Sequence, residues 1–203
     1  AMKKVKTDKP FILIASPMCA PLSALQEVFK YPGMETEEVR RRLEDGLKHV
    51  KFALELCLEQ YRNGRLFLLE HPAGASTWST EMIANMEKLP GVEVVTFDFC
   101  TLGMEAQDKD GEMRPAKKRT SVITNSQSIQ LLLREVQCHR QHRHVTLLDG
   151  RAKACEIYPE RFCRLVCEGV KRDIANAKWR DEQAKIFDIT TPMGKLLKAQ
   201  EET

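Results

Sequence analysis

The chain has 203 residues, of which 42% are hydrophobic and 30% are charged, so its composition excludes both a disordered segment and an integral membrane protein. The longest apolar run, Phe11 to Ala15, is too short to span a bilayer, and the charged residues before it exclude a secretory signal. A formal net charge of +3 indicates no particular partner. Seven cysteines without a C-x-x-C pair favour free thiols and an intracellular location, the nucleus included.

Strands and helices alternate in the first half of the chain. Three apolar runs are typical of buried strands in a parallel sheet: residues 11–15, 65–70 and 92–99. Apolar residues spaced by three and four predict a long amphipathic helix from Thr36 to about Asn63. Shorter helices are predicted at residues 23–30 and 80–89. This order implies right-handed crossovers and an α/β fold, with a partly parallel sheet and flanking helices.

The pattern changes after residue 107, where Asp110-Gly111 predicts a turn. Four segments follow: a strand at 120–124, a helix at 126–137, an irregular basic stretch at 138–151 and a helix from Pro159. Residues 176–203 are highly polar and predict a solvated helix followed by a loose tail. We therefore expect a linker or an expression remnant at residues 1–10, a domain at 11–175 and a polar C-terminal segment.

Two side chains that could take part in a reaction lie at or just after the ends of consecutive predicted strands. Cys19 lies in the loop Ser16-Pro-Met-Cys-Ala-Pro-Leu-Ser23, and Glu70 ends the second strand, in Leu69-Glu-His-Pro72. The carboxyl ends of neighbouring parallel strands meet at one edge of a sheet, so both side chains should face one cleft. A thiol there can act as a nucleophile if its pKa is lowered. The alternatives are a buried inert thiol and a glutamate that caps nearby backbone amides.

These two motifs, at this spacing, resemble those of cytosine-carbon-5 DNA methyltransferases, which carry Pro-Cys after one strand and Glu-Asn-Val at the end of the next. The resemblance implies that Cys19 is the nucleophile that attacks carbon 6 of a flipped cytosine. It likewise implies that Glu70 contacts ring nitrogen 3 and assists protonation. A weaker association is with methyltransferase-like domains of retroelement polyproteins, through Thr124-Asn-Ser126 and Gly150-Arg-Ala-Lys153.

A basic motif of the same family is similar to Pro115-Ala-Lys-Lys-Arg-Thr120. The resemblance implies that Arg119 is a third catalytic residue, which supports the base, and that Lys117 and Lys118 contact DNA.

The resemblance covers residues 10–175 and has clear departures. Met18 stands where the family has a proline, and His71-Pro72 stands where it has Asn-Val. The family binds S-adenosylmethionine on a glycine-rich turn upstream of the cysteine loop, in a βαβ unit that needs about 30 residues. The first predicted strand begins at residue 11, so we expect a domain that lacks this half and is inactive alone. An upstream domain or a second chain would then complete the cofactor site, whose residues in this chain are unknown.

Metal ligands are concentrated in one short stretch: Cys138, His139, His142 and His144. Zinc prefers sulfur and imidazole ligands, and Cys100 or Cys155 could join this set. Zinc sites usually show two separated ligand pairs, however, so the alternative is a basic loop. In that case Arg140 and Arg143 would contact phosphates.

Three functions are compatible with the sequence. The first is a DNA (cytosine-carbon-5) methyltransferase-like domain. The second is a noncatalytic nucleic-acid-binding module that uses the basic segments 114–119 and 134–151. The third is a protein-interaction domain with inert cysteines. A lowered pKa of Cys19 in an open cleft would favour the first, whereas a basic face with Cys19 buried would favour the second.

Overall fold

A computed structural model of the chain describes residues 1–148 and 150–190. The loose tail expected at the C-terminus lies outside these described residues. The fold is mixed α/β, with a partly parallel sheet and flanking helices, as the sequence predicts.

The main sheet has four strands: β1 (Ile12–Ala15), β2 (Leu66–Pro72), β3 (Glu93–Asp98) and β6 (Arg119–Thr124). Their spatial order is β1-β2-β6-β3, with β1 parallel to β2 and with β6 antiparallel to both β2 and β3. Two short strands, β4 (Glu105–Gln107) and β5 (Met113–Pro115), form a separate hairpin around the predicted Asp110-Gly111 turn.

The described residues form six α-helices: α1 (Met2–Asp8), α2 (Ala24–Phe29), α3 (Thr36–Arg62), α4 (Glu81–Glu87), α5 (Gln127–Arg134) and α6 (Glu160–Thr190). One core packs α3 and α4 against one face of the sheet, where Phe67, Leu69 and Ile123 point. The other core packs α5 and α6 against the opposite face, where Leu68 and Val122 point. The period-two alternation along each strand supplies both cores.

The structure differs from the sequence-based expectation in the first 15 residues and in the order of the strands. Residues 1–10, expected to be a linker, include helix α1, whose Val5 is buried and which contacts α3. The apolar run that follows was expected to be a buried strand, yet β1 is an edge strand and Ile14 is 56% exposed. The expected run of consecutive parallel strands is also interrupted, because β6 lies between β2 and β3.

Close contact between α5 and α6 depends on Gly169. A Cβ at this position would lie 2.5 Å from Ile129 Cγ1 and 3.1 Å from the Ile129 backbone nitrogen. We expect Gly169→Ala to lower the free energy of unfolding by about 1–2 kcal/mol in urea denaturation, because overpacking outweighs the better helix propensity of alanine. Gly33→Ala is the matched control, since a Cβ there meets nothing within 4 Å. Equal stability of the two variants would contradict the close packing.

Candidate functional site

Four chain segments bring polar side chains to the same edge of the main sheet. The carboxyl ends of β1, β2 and β3 lie there, together with the amino end of β6, because β6 runs antiparallel to β2 and β3. Cys19 follows β1, Glu70 lies in the last part of β2, and Arg119 begins β6. Cys100 lies in the 3-10 helix Phe99–Leu102, directly after β3.

The Glu70 carboxylate is 5% exposed and is held by two hydroxyl groups. Glu70 Oε2 accepts hydrogen bonds from Ser16 Oγ at 2.9 Å and from the Tyr158 hydroxyl at 2.7 Å. Glu70 Oε1 is buried and has no hydrogen-bond partner among the described residues. Burial and the charge of Glu70 raise the pKa of Tyr158, so its hydroxyl keeps the proton that it donates.

Cys19 lies at the start of the 3-10 helix Ala20–Leu22 and is an exposed residue. Desolvation of the thiol and the negative charge of Glu70 raise the pKa of Cys19, while Lys118 partly opposes this shift. The direction of the shift is opposite to that of an activated nucleophile, because the thiol stays protonated at neutral pH.

The three basic residues of the 115–120 motif have different environments. Lys117 and Arg119 are exposed, whereas Lys118 is half-buried. Lys118 Nζ donates to the Cys155 carbonyl oxygen at 2.9 Å and lies 5.2 Å from the centroid of the Phe99 ring. Lys118 is therefore engaged within the protein, and Lys117 and Arg119 are the residues of this motif that are free to meet a ligand.

His71 is fully buried beside this edge, on the opposite face of β2 from Glu70. Neither ring nitrogen makes a hydrogen bond of acceptable geometry within the described residues, although the Met18 backbone is near enough to favour the charged form. Burial dominates and lowers the pKa of His71 to about 4. The imidazole is therefore neutral at physiological pH.

Four metal-ligating side chains converge next to the end of β3: Cys100, Cys138, His142 and His144. Their ligand atoms all lie within 4.8 Å of one another. The Cys138 sulfur is 3.7 Å from His142 Nε2 and 3.4 Å from His144 Nε2. His144 Nε2 is 3.3 Å from the Cys100 sulfur and 3.0 Å from His142 Nε2.

Four of the six separations between these atoms fit one tetrahedral zinc ion. Zinc lies about 2.3 Å from sulfur and about 2.0–2.1 Å from nitrogen, so a tetrahedron has sulfur–nitrogen edges of about 3.6 Å and nitrogen–nitrogen edges of about 3.3 Å. The observed separations of 3.0–3.7 Å bracket both values. Two cysteines and two histidines are also a ligand set of structural zinc sites.

Backbone hydrogen bonds hold the ligand segment in place. The Cys138 N–H donates to Asp98 Oδ2, and the Val145 N–H donates to the Pro115 carbonyl oxygen. Arg140 adopts a left-handed backbone conformation (φ 58°), and its N–H points to the Cys138 sulfur at 3.4 Å. A hydrogen bond of this kind stabilises an ionised sulfur and fixes the orientation of the ligand.

Of the predicted metal ligands, the structure brings Cys138, His142 and His144 into the group but not His139. His139 is exposed, and Cys100 takes the fourth position instead. Cys155 is buried elsewhere, where its carbonyl oxygen binds Lys118. Burial and the neighbouring Cys138 raise the pKa of Cys100 to about 12, so a metal must displace the proton of this thiol.

Basic residues lie on the segment that carries this cluster and next to it in the fold. Arg140 and Arg143 are exposed on the ligand segment itself. Lys117 joins them, because its backbone N–H donates to the Val145 carbonyl oxygen at 3.0 Å. Burial, with contributions from His142, Lys117 and Arg140, lowers the pKa of His144. Lys117 and Arg140 thus act electrostatically on the clustered side chains, where the carboxylate of Asp98 opposes them.

No helix within the described residues is both long enough and apolar enough to cross a membrane. Comparison of the chain with protein-family models, with curated proteins and with solved structures finds no match.

Proposed function

We propose that this chain is a zinc-stabilised nucleic-acid-binding domain. The observation that carries the proposal is that four potential ligands cluster on and against a segment that exposes Arg140 and Arg143, and that the Lys117 backbone pairs with the same segment at Val145. Zinc would be held by Cys100, Cys138, His142 and His144, and it would supply a rigid crosslink between the end of β3 and residues 138–144. The closed ligand set leaves no position for a reacting water, so its role is structural.

The charge of the segment points to an anionic polymer. Residues 134–151 contain four arginines and only two acids, Glu135 and Asp149. Arg134 is already paired with Glu93, which leaves Arg140 and Arg143 as the exposed cations next to the cluster. Arginines on a fixed loop contact phosphates. Such contacts release counterions from the nucleic acid, so the affinity falls steeply as the salt concentration rises.

Fluorescence anisotropy with a labelled 20-base-pair DNA tests this proposal. The double variant Arg140→Ala/Arg143→Ala is expected to bind at least about tenfold more weakly, and its slope of log affinity against log salt should be smaller by roughly 2, since about 0.9 is lost for each phosphate contact. Arg62→Ala, an exposed arginine at the end of α3, is the matched control and should change neither quantity. Equal affinities for wild type and the double variant would contradict the proposal.

A second candidate is a DNA (cytosine-carbon-5) methyltransferase-like domain, and one observation favours it. Cys19 and Glu70, the two residues that the resemblance assigns to chemistry, lie at the same edge of the sheet. Arg119 is exposed at that edge, at the start of β6. The raised pKa of Cys19 ranks this candidate second. None of the described residues is assigned to S-adenosylmethionine, whose binding half would come from an upstream domain or a second chain.

Two measurements test this candidate: calorimetry with S-adenosylmethionine, and a comparison of the affinities for two DNA duplexes. The chain alone is expected to bind S-adenosylmethionine no more tightly than about 1 mM, because the described residues before β1 form helix α1 and not a βαβ unit that could position the donor. If Glu70 receives a base, a duplex with one unpaired cytosine should bind about tenfold better than one with unpaired thymine, and Glu70→Gln should abolish the difference. Equal binding of the two duplexes would remove the candidate. Micromolar cofactor binding would show that the chain holds the donor itself.

A further inference from the structure

Two of the four clustered side chains, Cys100 and Cys138, are thiols with closely spaced sulfur atoms. Both cysteines are free in the structure, and their sulfur atoms lie within 4.8 Å of each other. The sulfur atoms of a disulfide are about 2.05 Å apart, so an approach of less than about 3 Å would allow a bond between them. Staggered rotamers of a cysteine place its sulfur at separate positions, so side-chain rotation can supply this approach.

Hydrogen bonds of Asp98 hold the two thiols near each other without any metal. The Asp98 N–H donates to the Val136 carbonyl oxygen at 3.1 Å, and Asp98 Oδ2 accepts from the Cys138 N–H at 3.0 Å. The chain reaches Cys100 two positions after Asp98, in the 3-10 helix Phe99–Leu102. The segment at Cys138 is therefore fastened to the end of β3, and we expect the two thiols to remain neighbours when no metal is bound.

The two thiols differ in exposure, which gives them different roles. Cys138 is half-buried, whereas Cys100 is 9% exposed, so an oxidant in solution reaches Cys138 first. The Arg140 N–H, 3.4 Å from the Cys138 sulfur, stabilises an ionised sulfur, which is the form that reacts with oxidants. An accessible thiolate beside a second cysteine is the arrangement of a redox-sensitive pair.

We propose that Cys100 and Cys138 are a redox switch, whose disulfide releases the metal and weakens nucleic-acid binding. The oxidant is hydrogen peroxide. The ionised Cys138 sulfur attacks one peroxide oxygen and the O–O bond breaks, which gives a sulfenic acid and hydroxide. The ionised Cys100 sulfur then attacks the sulfenic sulfur, so the S–S bond forms, the S–O bond breaks and a second hydroxide leaves.

The electrons and protons of this reaction balance. The two sulfurs together lose two electrons, and one peroxide gains them. Two protons convert both hydroxides to water; the thiols supply these protons in the metal-free chain, and the buffer supplies them when the metal is bound. A dithiol reductant restores both thiols, so the reaction is reversible.

Disulfide formation removes half of the ligand set. Zinc binds ionised cysteine sulfurs, and a disulfide offers none. His142 and His144 would then be the two remaining ligands, too few for the four that a structural site needs. This regulation rests on the proposed function, because release of the metal frees the segment that carries Arg140 and Arg143.

The test treats the zinc-loaded full chain with equimolar hydrogen peroxide at neutral pH. Released zinc is measured with a coloured chelator, and disulfides are mapped by mass spectrometry of unreduced peptides. We expect Cys100 to be joined to Cys138, with about one zinc ion released for each disulfide, and the DNA affinity to fall at least about tenfold. Dithiothreitol followed by zinc should restore both the metal content and the affinity.

Exposed thiols outside the cluster provide the matched control. The double variant Cys163→Ser/Cys167→Ser, with both substitutions on α6, should form the disulfide and release zinc as wild type does. Three results would overturn the proposal: zinc that stays bound after the peroxide is consumed, a disulfide between other cysteines, or oxidised sulfur without a disulfide.

Metal-free protein separates this proposal from the proposed function. Peroxide should join Cys100 to Cys138 there as well, because Asp98 holds both segments. A chain that binds zinc but forms no such disulfide would overturn the switch and leave the proposed function intact. A chain that binds no zinc but forms the disulfide would contradict the proposed function and the release of metal, while it supports the thiol pair.

Discussion

Removal of zinc is expected to lower the thermal midpoint of unfolding by roughly 8–16 °C. A metal present at 1,000 times its dissociation constant stabilises the folded state by about 4 kcal/mol, and a domain of this size shifts by about 2–4 °C for each kcal/mol. The cluster joins the end of β3 to residues 138–144, so its loss frees a segment that the hydrogen bonds of Asp98 and Val145 would have to hold alone. Scanning calorimetry before and after chelation measures the shift.

Substitutions distinguish the four clustered side chains from the neighbouring His139. Cys100→Ser is expected to reproduce the effect of chelation and to make the protein insensitive to chelator. His139→Ala, in the same segment but with an exposed imidazole outside the cluster, should behave as wild type. If chelator leaves the thermal midpoint of wild type unchanged, the protein has no structural zinc site. If His139→Ala makes the thermal midpoint insensitive to chelator, His139 is a ligand and the ligand set is different.

Acid is expected to destabilise the protein through His71. Its folded-state pKa is lowered from 6.5 to about 4, so the unfolded state binds the proton more readily. The stability that this residue contributes is complete above about pH 6.5 and is lost progressively as the pH falls to about 4. The total loss is on the order of 3 kcal/mol. Urea denaturation at successive pH values measures it.

The contribution of His71 is isolated by a difference between two metal-free proteins, because the binding of a metal also depends on pH. Metal-free wild type should lose about 3 kcal/mol more between pH 7 and pH 4 than metal-free His71→Phe, which has no proton to bind. His49→Gln provides the control, since His49 is exposed on α3. Parallel pH profiles of wild type and His71→Phe would contradict a buried neutral imidazole.

Local patterns were sufficient to predict the elements, but not their arrangement. The spacing of apolar residues predicted α3 nearly to its ends at Thr36 and Arg62, and apolar runs located β1, β2 and β3. The insertion of β6 between β2 and β3 depends on long-range pairing, such as Val122 opposite both Glu70 and Val95, and no short-range signal specifies it. Likewise, the apolar sequence of β1 is typical of a central strand, but among the described residues β1 lies at the edge of the sheet.

The candidate sites show the same limit. Cys138, His142 and His144 were found because they are close in sequence, whereas Cys100 is contributed by a different element, 44 positions before His144. His139 looked equivalent to its neighbours, since sequence proximity does not show which way a side chain in an irregular segment points. The contact between Tyr158 and Glu70 spans 88 positions and had no sequence signal.

The DNA affinity of one preparation, measured before and after zinc is stripped and again after zinc is restored, tests the central claim most directly. We predict salt-dependent binding by the zinc-loaded chain, a loss of at least about tenfold on stripping and recovery on reloading, because the metal would fix the segment that carries Arg140 and Arg143. Equal affinity of the zinc-loaded and stripped chains, or no binding by either at low salt, would contradict a zinc-stabilised nucleic-acid-binding domain.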